Sequence, residues 1–497
     1  MNKTNIAKMF FALAVVSLIT ANGLPAQTLT TLLSFDKTDG NGPSAPLIQG
    51  IDGNFYGTTV GGGHDGGGTV FKISSSGSLT TLHNFCSLST PRPCADGLKP
   101  YGGSVQAANG DFYGTTLYGG ATGHGAAFKI TPGGKFTTLY NFCPLGLPCS
   151  DGTAPSDGLV QAIDGDFYGT TSEGGANAWG TVFKITPSGA LTTLYSFCSQ
   201  GVWPNCLDGY DPYAALVQAA NGDFYGTTLY GGAGGSGTLF KVTPSGALTT
   251  LYTFCSQSNC TDGSSPYGVL VQATDGYLYG TTALGGAYGF GTVFRTTPSG
   301  ALTTLYSFCS EGSPCTDGGK PRAGLIQATD GNFYGMTDSC GGCTAGTIFQ
   351  ITPGGVLTTL HIFCDHGEPC TGGASPGAGL LQATDGNFYG TTQIGGTNHY
   401  GTVFSLSVGL GPFVATRPTS GKAGTLVEIL GTDLTGAISV TFNGTPAVFS
   451  VISPSLITTI VPTGATTGIV KVVTPSGTLS SNLPFRVLPH VPDPNIN

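Results

Sequence analysis

The chain is 497 residues long, more than one compact core holds, and carries a formal charge of −9 with only 9% charged residues. No stripe of Lys and Arg exists to meet phosphates, which excludes nucleic acid as an expected partner. The 83 glycines recur at fixed places among 10% aromatic residues, a pattern of turns in a folded β protein and not of disorder.

The N-terminus predicts a signal peptide over 1–26. Lys3 and Lys8 supply its basic segment, and Met9 to Leu18 is apolar but too short to span a bilayer. Of the small residues Ala21, Gly23 and Ala26, cleavage is placed after Ala26, with an uncleaved anchor as the competing reading. No later segment is apolar over a spanning length. The mature chain is therefore expected to lack a membrane span and to be secreted, periplasmic or held at the cell surface.

One phrase then recurs seven times, from DGNFYGTT at Asp52–Thr59 to DGNFYGTT at Asp385–Thr392, with marker tyrosines 54 to 57 residues apart. Residues 212–254 show the whole unit: an apolar run PYAALVQ (Pro212–Gln218), then Asn-Gly and DFYGTT, a glycine-rich loop, TLFKVT, Pro-Ser-Gly, and LTTLYTF. Asn-Gly and Pro-Ser-Gly supply the backbone conformations of tight hairpins, so the unit predicts four antiparallel strands. The first segment after the signal, Leu29–Phe35, matches a fourth strand, while the last repeat stops after its third, Thr402–Ser407. A repeat split between the two ends predicts a seven-bladed β-propeller over 28–408, closed by the N-terminal strand, rather than a solenoid.

Fourteen cysteines accompany the repeats. Six pairs are local: Cys86 and Cys94, Cys143 and Cys149, Cys198 and Cys206, Cys255 and Cys260, Cys309 and Cys315, Cys364 and Cys370. Cys340 and Cys343, spaced CGGC, form a seventh. An even count in an exported chain predicts disulfides, with adjacency suggesting the partners. Zinc would need two pairs to converge, and a thioredoxin-like role for the CGGC pair lacks a βαβ setting. No metal and no cofactor is expected.

After Gly411 the phrase disappears, and short β runs separated by Gly, Pro and Asn predict an immunoglobulin-like β-sandwich over 412–489. A short polar tail, 490–497, carries no predicted sorting helix.

The recurring DGNFYGTT, GTVFKITPSG and LTTLYSF resemble the GloVer tandem repeat of bacterial exported "choice-of-anchor" proteins, over nearly all of 28–408. PTSGKAGTLVEILGTDL and FNGTPAVF resemble the IPT/TIG class of immunoglobulin-like domains. These resemblances imply an exported surface protein and bring no catalytic residues with them.

The cysteine loops and glycine-rich loops are expected on one face of the ring, opposite the near-identical tight turns. Just before the third strand the sequence varies, and His124, Trp179, Phe290 and Tyr400 stand there; Trp203, the only other tryptophan, lies in a cysteine loop. Flat rings on rigid loops suit a sugar or peptide platform, so these five are the ligand-binding candidates, with packing of loop on loop as the alternative. Glu173, Asp338 and Asp65 interrupt the glycine-rich loops and are the acidic candidates; a glycosidase would need two such carboxylates at a set separation. The aspartates after the cysteines read as turn caps rather than calcium ligands. No G-x-S-x-G, Walker or dinucleotide fingerprint is present. The expected function is an exported, non-catalytic binding or structural protein engaging extracellular polysaccharide or surface proteins. A propeller glycoside hydrolase or lyase is the alternative.

Overall fold

The computed structural model describes residues 27–88, 94–312, 314–339, 345–365 and 369–489. The predicted signal peptide, the pair Cys340 and Cys343, and the polar tail lie outside them. The described residues contain no α-helix, only strands and one 3-10 turn at Ser258–Cys260.

Each repeat is a four-stranded antiparallel sheet with its strands in chain order, as in Ile48–Gln49, Phe55–Thr59, Thr69–Ile73 and Leu79–Asn84. The seventh sheet takes its outer strand from the other end of the chain: Thr28–Ser34 pairs antiparallel with Thr402–Ser407. This is the pairing expected of the split repeat. Burial falls outward, since the second strand is buried at every position and the fourth only partly.

The marker phrase is legible as physical chemistry. Asp52 Oδ1 accepts the Asn54 N–H at 3.1 Å, which folds the turn, and Asp52 Oδ2 accepts the Tyr56 hydroxyl at 2.8 Å. Where Asn replaces Asp, Asn109 Nδ2 instead donates to the Tyr113 hydroxyl at 3.0 Å. The glycine of FYGTT lies under the third-strand phenylalanine, and a Cβ on Gly57 would sit 2.5 Å from Phe71 Cζ. The paired threonines close the strand, with Thr59 and Thr69 hydroxyls bonded at 2.9 Å in the buried interior.

Neighbouring sheets are joined by side chains from the same positions. Tyr113 stacks on Phe167 and Tyr168 on Phe224, with centroids 4.2 and 4.1 Å apart. A glutamine at the end of each first strand accepts a backbone N–H of the preceding sheet: Gln218 Oε1 takes Ile163 N at 3.1 Å. The same contacts join the seventh sheet to the first, where Gln49 Oε1 accepts Thr384 N at 3.0 Å and Phe55 lies 4.0 Å from Tyr389.

The first strands are shorter than the sequence predicts. PYAALVQ contributes only Val217–Gln218, because the backbone before them is bonded to the neighbouring sheet. Ala215 N–H goes to Asp157 Oδ2 at 2.8 Å, and Tyr213 C=O accepts the Ser156 hydroxyl at 3.2 Å. Pro212 has no N–H to give.

Residues beyond 414 form two four-stranded sheets that enclose Val427, Ile429, Val440, Phe442, Ile457 and Val472. This sandwich rests on the Asp/Asn-Gly turns. Ser455 Oγ donates to Ile51 C=O at 3.2 Å, and Thr432 bonds Thr384 at 3.1 Å. Arg417 donates to Gln106 Oε1 and Gln49 C=O, and Arg486 reaches Ala220 C=O.

Candidate functional site

The six local cysteine pairs are all disulfide-bonded within their own loops. Cys86 is joined to Cys94, Cys143 to Cys149 and Cys198 to Cys206. Cys255 is joined to Cys260, Cys309 to Cys315 and Cys364 to Cys370. The seventh predicted pair, Cys340 and Cys343, lies outside the described residues. The aspartates that follow the cysteines cap these loops. Asp208 Oδ2 accepts the Tyr195 hydroxyl at 2.8 Å and Ser199 N–H at 2.9 Å.

A cavity of about 990 Å³ is lined by residues of the second, third and fourth repeats. One wall is the Cys143–Cys149 loop, through Leu147 and Pro148; the other walls carry Tyr118, Trp179, Tyr210, Tyr213 and Tyr230. Trp179 is placed by a backbone bridge to Gly174, and Tyr210 by one to Tyr230. Trp203 rises on a two-residue hairpin inside the Cys198–Cys206 loop and stacks parallel on Trp179, centroids 5.4 Å apart. Trp179 also meets Tyr210 edge-on at 5.1 Å, and Tyr210 stacks on Tyr230 at 5.5 Å. The two tryptophans, 24 positions apart in sequence, are thus stacked, with Trp179 in the cavity wall and Trp203 bracing it from the neighbouring loop.

The other ring candidates lie elsewhere. His124 Nδ1 is 3.3 Å from the Thr153 hydroxyl at the margin of this cavity. Its ring nitrogen and the Cys143 and Cys149 sulfurs lie within 4.8 Å of one another, but the sulfurs are bonded to each other and offer no thiolate to a metal. Phe290 packs on the buried cluster around Val293 and Phe308, and Tyr400 on the one around Phe35 and Phe71.

The three acidic candidates are not brought together. Asp65 bonds His64 at 2.9 Å on an exposed loop, and Asp338 faces Arg322 at 3.6 Å in a second, smaller cavity. Glu173 lines the large cavity, where its companion is Asp211, a residue sequence reasoning did not single out. Asp211 has the left-handed conformation (φ 57°) shared by Lys99, Ala154, Ser265, Lys320 and Ser375 at the equivalent position of other repeats. It is the one acid in that register, a signal the sequence did contain. Asp211 N–H is held by Trp179 C=O at 3.2 Å, and its Oδ1 is buried without a hydrogen-bond partner. Burial, with the Glu173 charge adding to it, pushes its carboxyl up to about 6.

The second cavity, about 130 Å³, is lined by the residue that follows the proline of successive repeats: Ser44, Tyr101, Ser156, Tyr213, Tyr267 and Arg322. Tyr213 and Tyr267 meet edge-on at 4.9 Å, and the Arg322 guanidinium lies 5.5 Å over Tyr267. Beside them Asp157, half-buried, accepts Gly158 N–H at 2.6 Å and Ala215 N–H at 2.8 Å, and desolvation raises its carboxyl to about 6.

A family model described as the Gloeobacter/Verrucomicrobia repeat matches residues 18–146, 88–261 and 256–444, most of the chain. The chain belongs to the Gloeobacter/Verrucomicrobia repeat family. Residues 414–487 match the IPT/TIG domain, as the sequence led us to expect. No curated protein matches this repeat protein. Among solved structures it resembles a fungal alcohol oxidase of the AA5 family in complex with copper, at 15% identity and TM-score 0.50, over 93% of this chain and 99% of that one. It also resembles a putative 6-phosphogluconolactonase from Bacteroides uniformis, at 17% identity and TM-score 0.39, over 64% and 84% of the two chains. A putative gluconolactonase is similar at 11% identity and TM-score 0.39, over 78% and 94%. At 15% identity the likeness to the oxidase concerns the fold and not the chemistry. Among the described residues no helix is long and apolar enough to cross a membrane.

Proposed function

We propose that residues 28–408 form a closed seven-bladed β-propeller, that an IPT/TIG sandwich over 412–489 follows it, and that the exported protein binds extracellular polysaccharide without transforming it. Support for the ring comes from the contacts of Gln49 and Phe55 with the seventh sheet, which repeat those between interior neighbours. The observation that carries the binding reading is the aromatic lining of a cavity of about 990 Å³, in which Trp179, Tyr210 and Tyr230 stand and Trp203 stacks on Trp179. Two disulfide loops hold that surface, so little ordering entropy is lost on binding. The sandwich occupies the tight-turn side, which leaves the cysteine loops as the accessible binding face.

The test is calorimetric titration of the mature protein with a panel of soluble polysaccharides and oligosaccharides. Trp179→Ala and Trp203→Ala should each weaken binding by roughly 1–3 kcal/mol if these residues are hot spots. Because Trp203 is 53% exposed, its replacement should leave the melting temperature nearly unchanged. If no glycan binds, a surface-protein partner takes precedence.

One observation favours the glycoside hydrolase or lyase reading: Asp211, with its carboxyl raised to about 6, shares the cavity with the more exposed Glu173. Such a pair divides into a proton donor and an ionised partner. Release of new chain ends from a glycan, lost in Asp211→Asn, would establish it.

A further inference from the structure

The large cavity has an uneven charge inventory. Glu173 and Asp211 are its two ionisable carboxyl groups, and no Lys, Arg or His is among its lining residues. The basic groups near it stay at the margin: the Lys99 ammonium lies 5.8 Å from the centre of the Tyr118 ring, and His124 is engaged with Thr153. The Asp211 carboxylate lines the cavity, while its Oδ1 is enclosed by protein. Every backbone contact that fixes Asp211 is made, from its own N–H to Trp179 and from its carbonyl to Leu229 N–H at 3.0 Å, yet Oδ1 has no donor. A buried carboxylate oxygen without a donor costs free energy, and a cation held at the cavity side of the same carboxylate offsets that cost through charge.

We propose that the cavity recognises an amino sugar, with a protonated amine pairing with the Asp211 carboxylate from the cavity side and the sugar face lying on the Trp179 wall. This rests on the glycan-binding reading and names the class of glycan. A neutral hydroxyl would donate to the Asp211 carboxylate, but it would leave the charge of two carboxylates uncompensated. An acidic sugar would add to that charge. An ammonium group answers both, and the faces of Trp179, Tyr210 and Tyr230 attract cations through their ring quadrupoles. The left-handed backbone of Asp211, locked on one side by Pro212, holds the carboxylate before the ligand arrives.

The experiment compares glucosamine oligomers with their fully N-acetylated counterparts of equal length, by calorimetry on the mature protein at pH 6.5, above the value of about 6 to which the Asp211 carboxyl is raised and where a large share of the amines is still charged. The deacetylated oligomer should bind about tenfold tighter or more, the range of one hydrogen bond to a charged group. Asp211→Asn should erase that preference while both oligomers still bind through Trp179. Glu173→Gln, at an exposed position, should reduce it about two- to fivefold and serves if Asp211→Asn does not fold. Equal affinity for the two oligomers, or a preference untouched by Asp211→Asn or, where that variant fails, by Glu173→Gln, would overturn the proposal and leave the glycan reading standing. Absence of binding by any glycan would overturn both.

Discussion

Phe35 offers the sharpest test of the ring. It follows the outer strand that the N-terminal segment contributes to the seventh sheet, it is fully buried, and it meets Phe71 of the first sheet edge-on at 5.3 Å. Its N–H is bonded to Gly401 C=O at 3.0 Å, so backbone and ring together fasten the two ends of the repeat array. Phe197 occupies the same place between the third and fourth sheets, equally buried and 5.1 Å from Phe240. Truncating a buried phenylalanine to alanine costs about 3–5 kcal/mol through lost transfer energy and the cavity left behind. Phe35→Ala and Phe197→Ala should therefore lower stability by similar amounts, read as the shift of the urea midpoint multiplied by the m-value. A terminal strand merely laid against its neighbour would fray before the array unfolds, and its phenylalanine would then contribute little to the global midpoint. If Phe35→Ala stays within about 0.5 kcal/mol of the parent while Phe197→Ala shows the full loss, the reasoning fails, because that is the range of substitutions that touch nothing important.

Three further outcomes are expected. Peptide mapping under non-reducing conditions should recover all fourteen cysteines linked within their own loops, Cys340 and Cys343 included, and free thiols or links between distant repeats would contradict this. Because Asp157 and Asp211 have carboxyls raised to about 6 in the folded state, that state holds more protons than the unfolded chain between roughly pH 4 and 6. Their contribution is present at low pH and is lost as pH rises through that window, on the order of 2–3 kcal/mol each. Asp211→Asn should flatten that part of the stability profile, measured by denaturant titration at several pH values. Arg417→Ala removes the donor to Gln106 Oε1 and Gln49 C=O, and should loosen the sandwich from the repeats by roughly 1.5–3 kcal/mol, seen as faster hydrogen exchange at Ile51 and Ser455.

Much of the fold was legible because each residue of the marker phrase has its own physical task. Asp52 folds the turn and holds Tyr56, Gly57 admits Phe71, and Thr59 meets Thr69, so the phrase recurs wherever a sheet does. The cavity was only half legible. Trp179 and Trp203 stood out by rarity, but Asp211 was hidden in a register otherwise filled by small or basic residues, and only the folded chain brings it to Glu173. Tyr101, Tyr213 and Tyr267 were missed because the run after each proline reads as the start of an apolar strand. In the structure that run instead gives its backbone bonds to the preceding repeat and turns its first side chain toward a shared cavity. Where the sandwich sits was not legible at all, since Arg417, Ser455 and Arg486 reach partners hundreds of positions away.

That seat has a topological consequence for any polymeric ligand. The sandwich touches turns of the first, second, fourth and seventh repeats, so in the proposed ring it bridges one mouth from side to side. A doughnut plugged at one end is a cup. If the ring closes as proposed, a long saccharide would not be threaded through it as a strand through a clamp, nor held by encirclement. It must be met laterally or at a chain end, from the open rim, and its residence there depends on contacts at the rim rather than on enclosure.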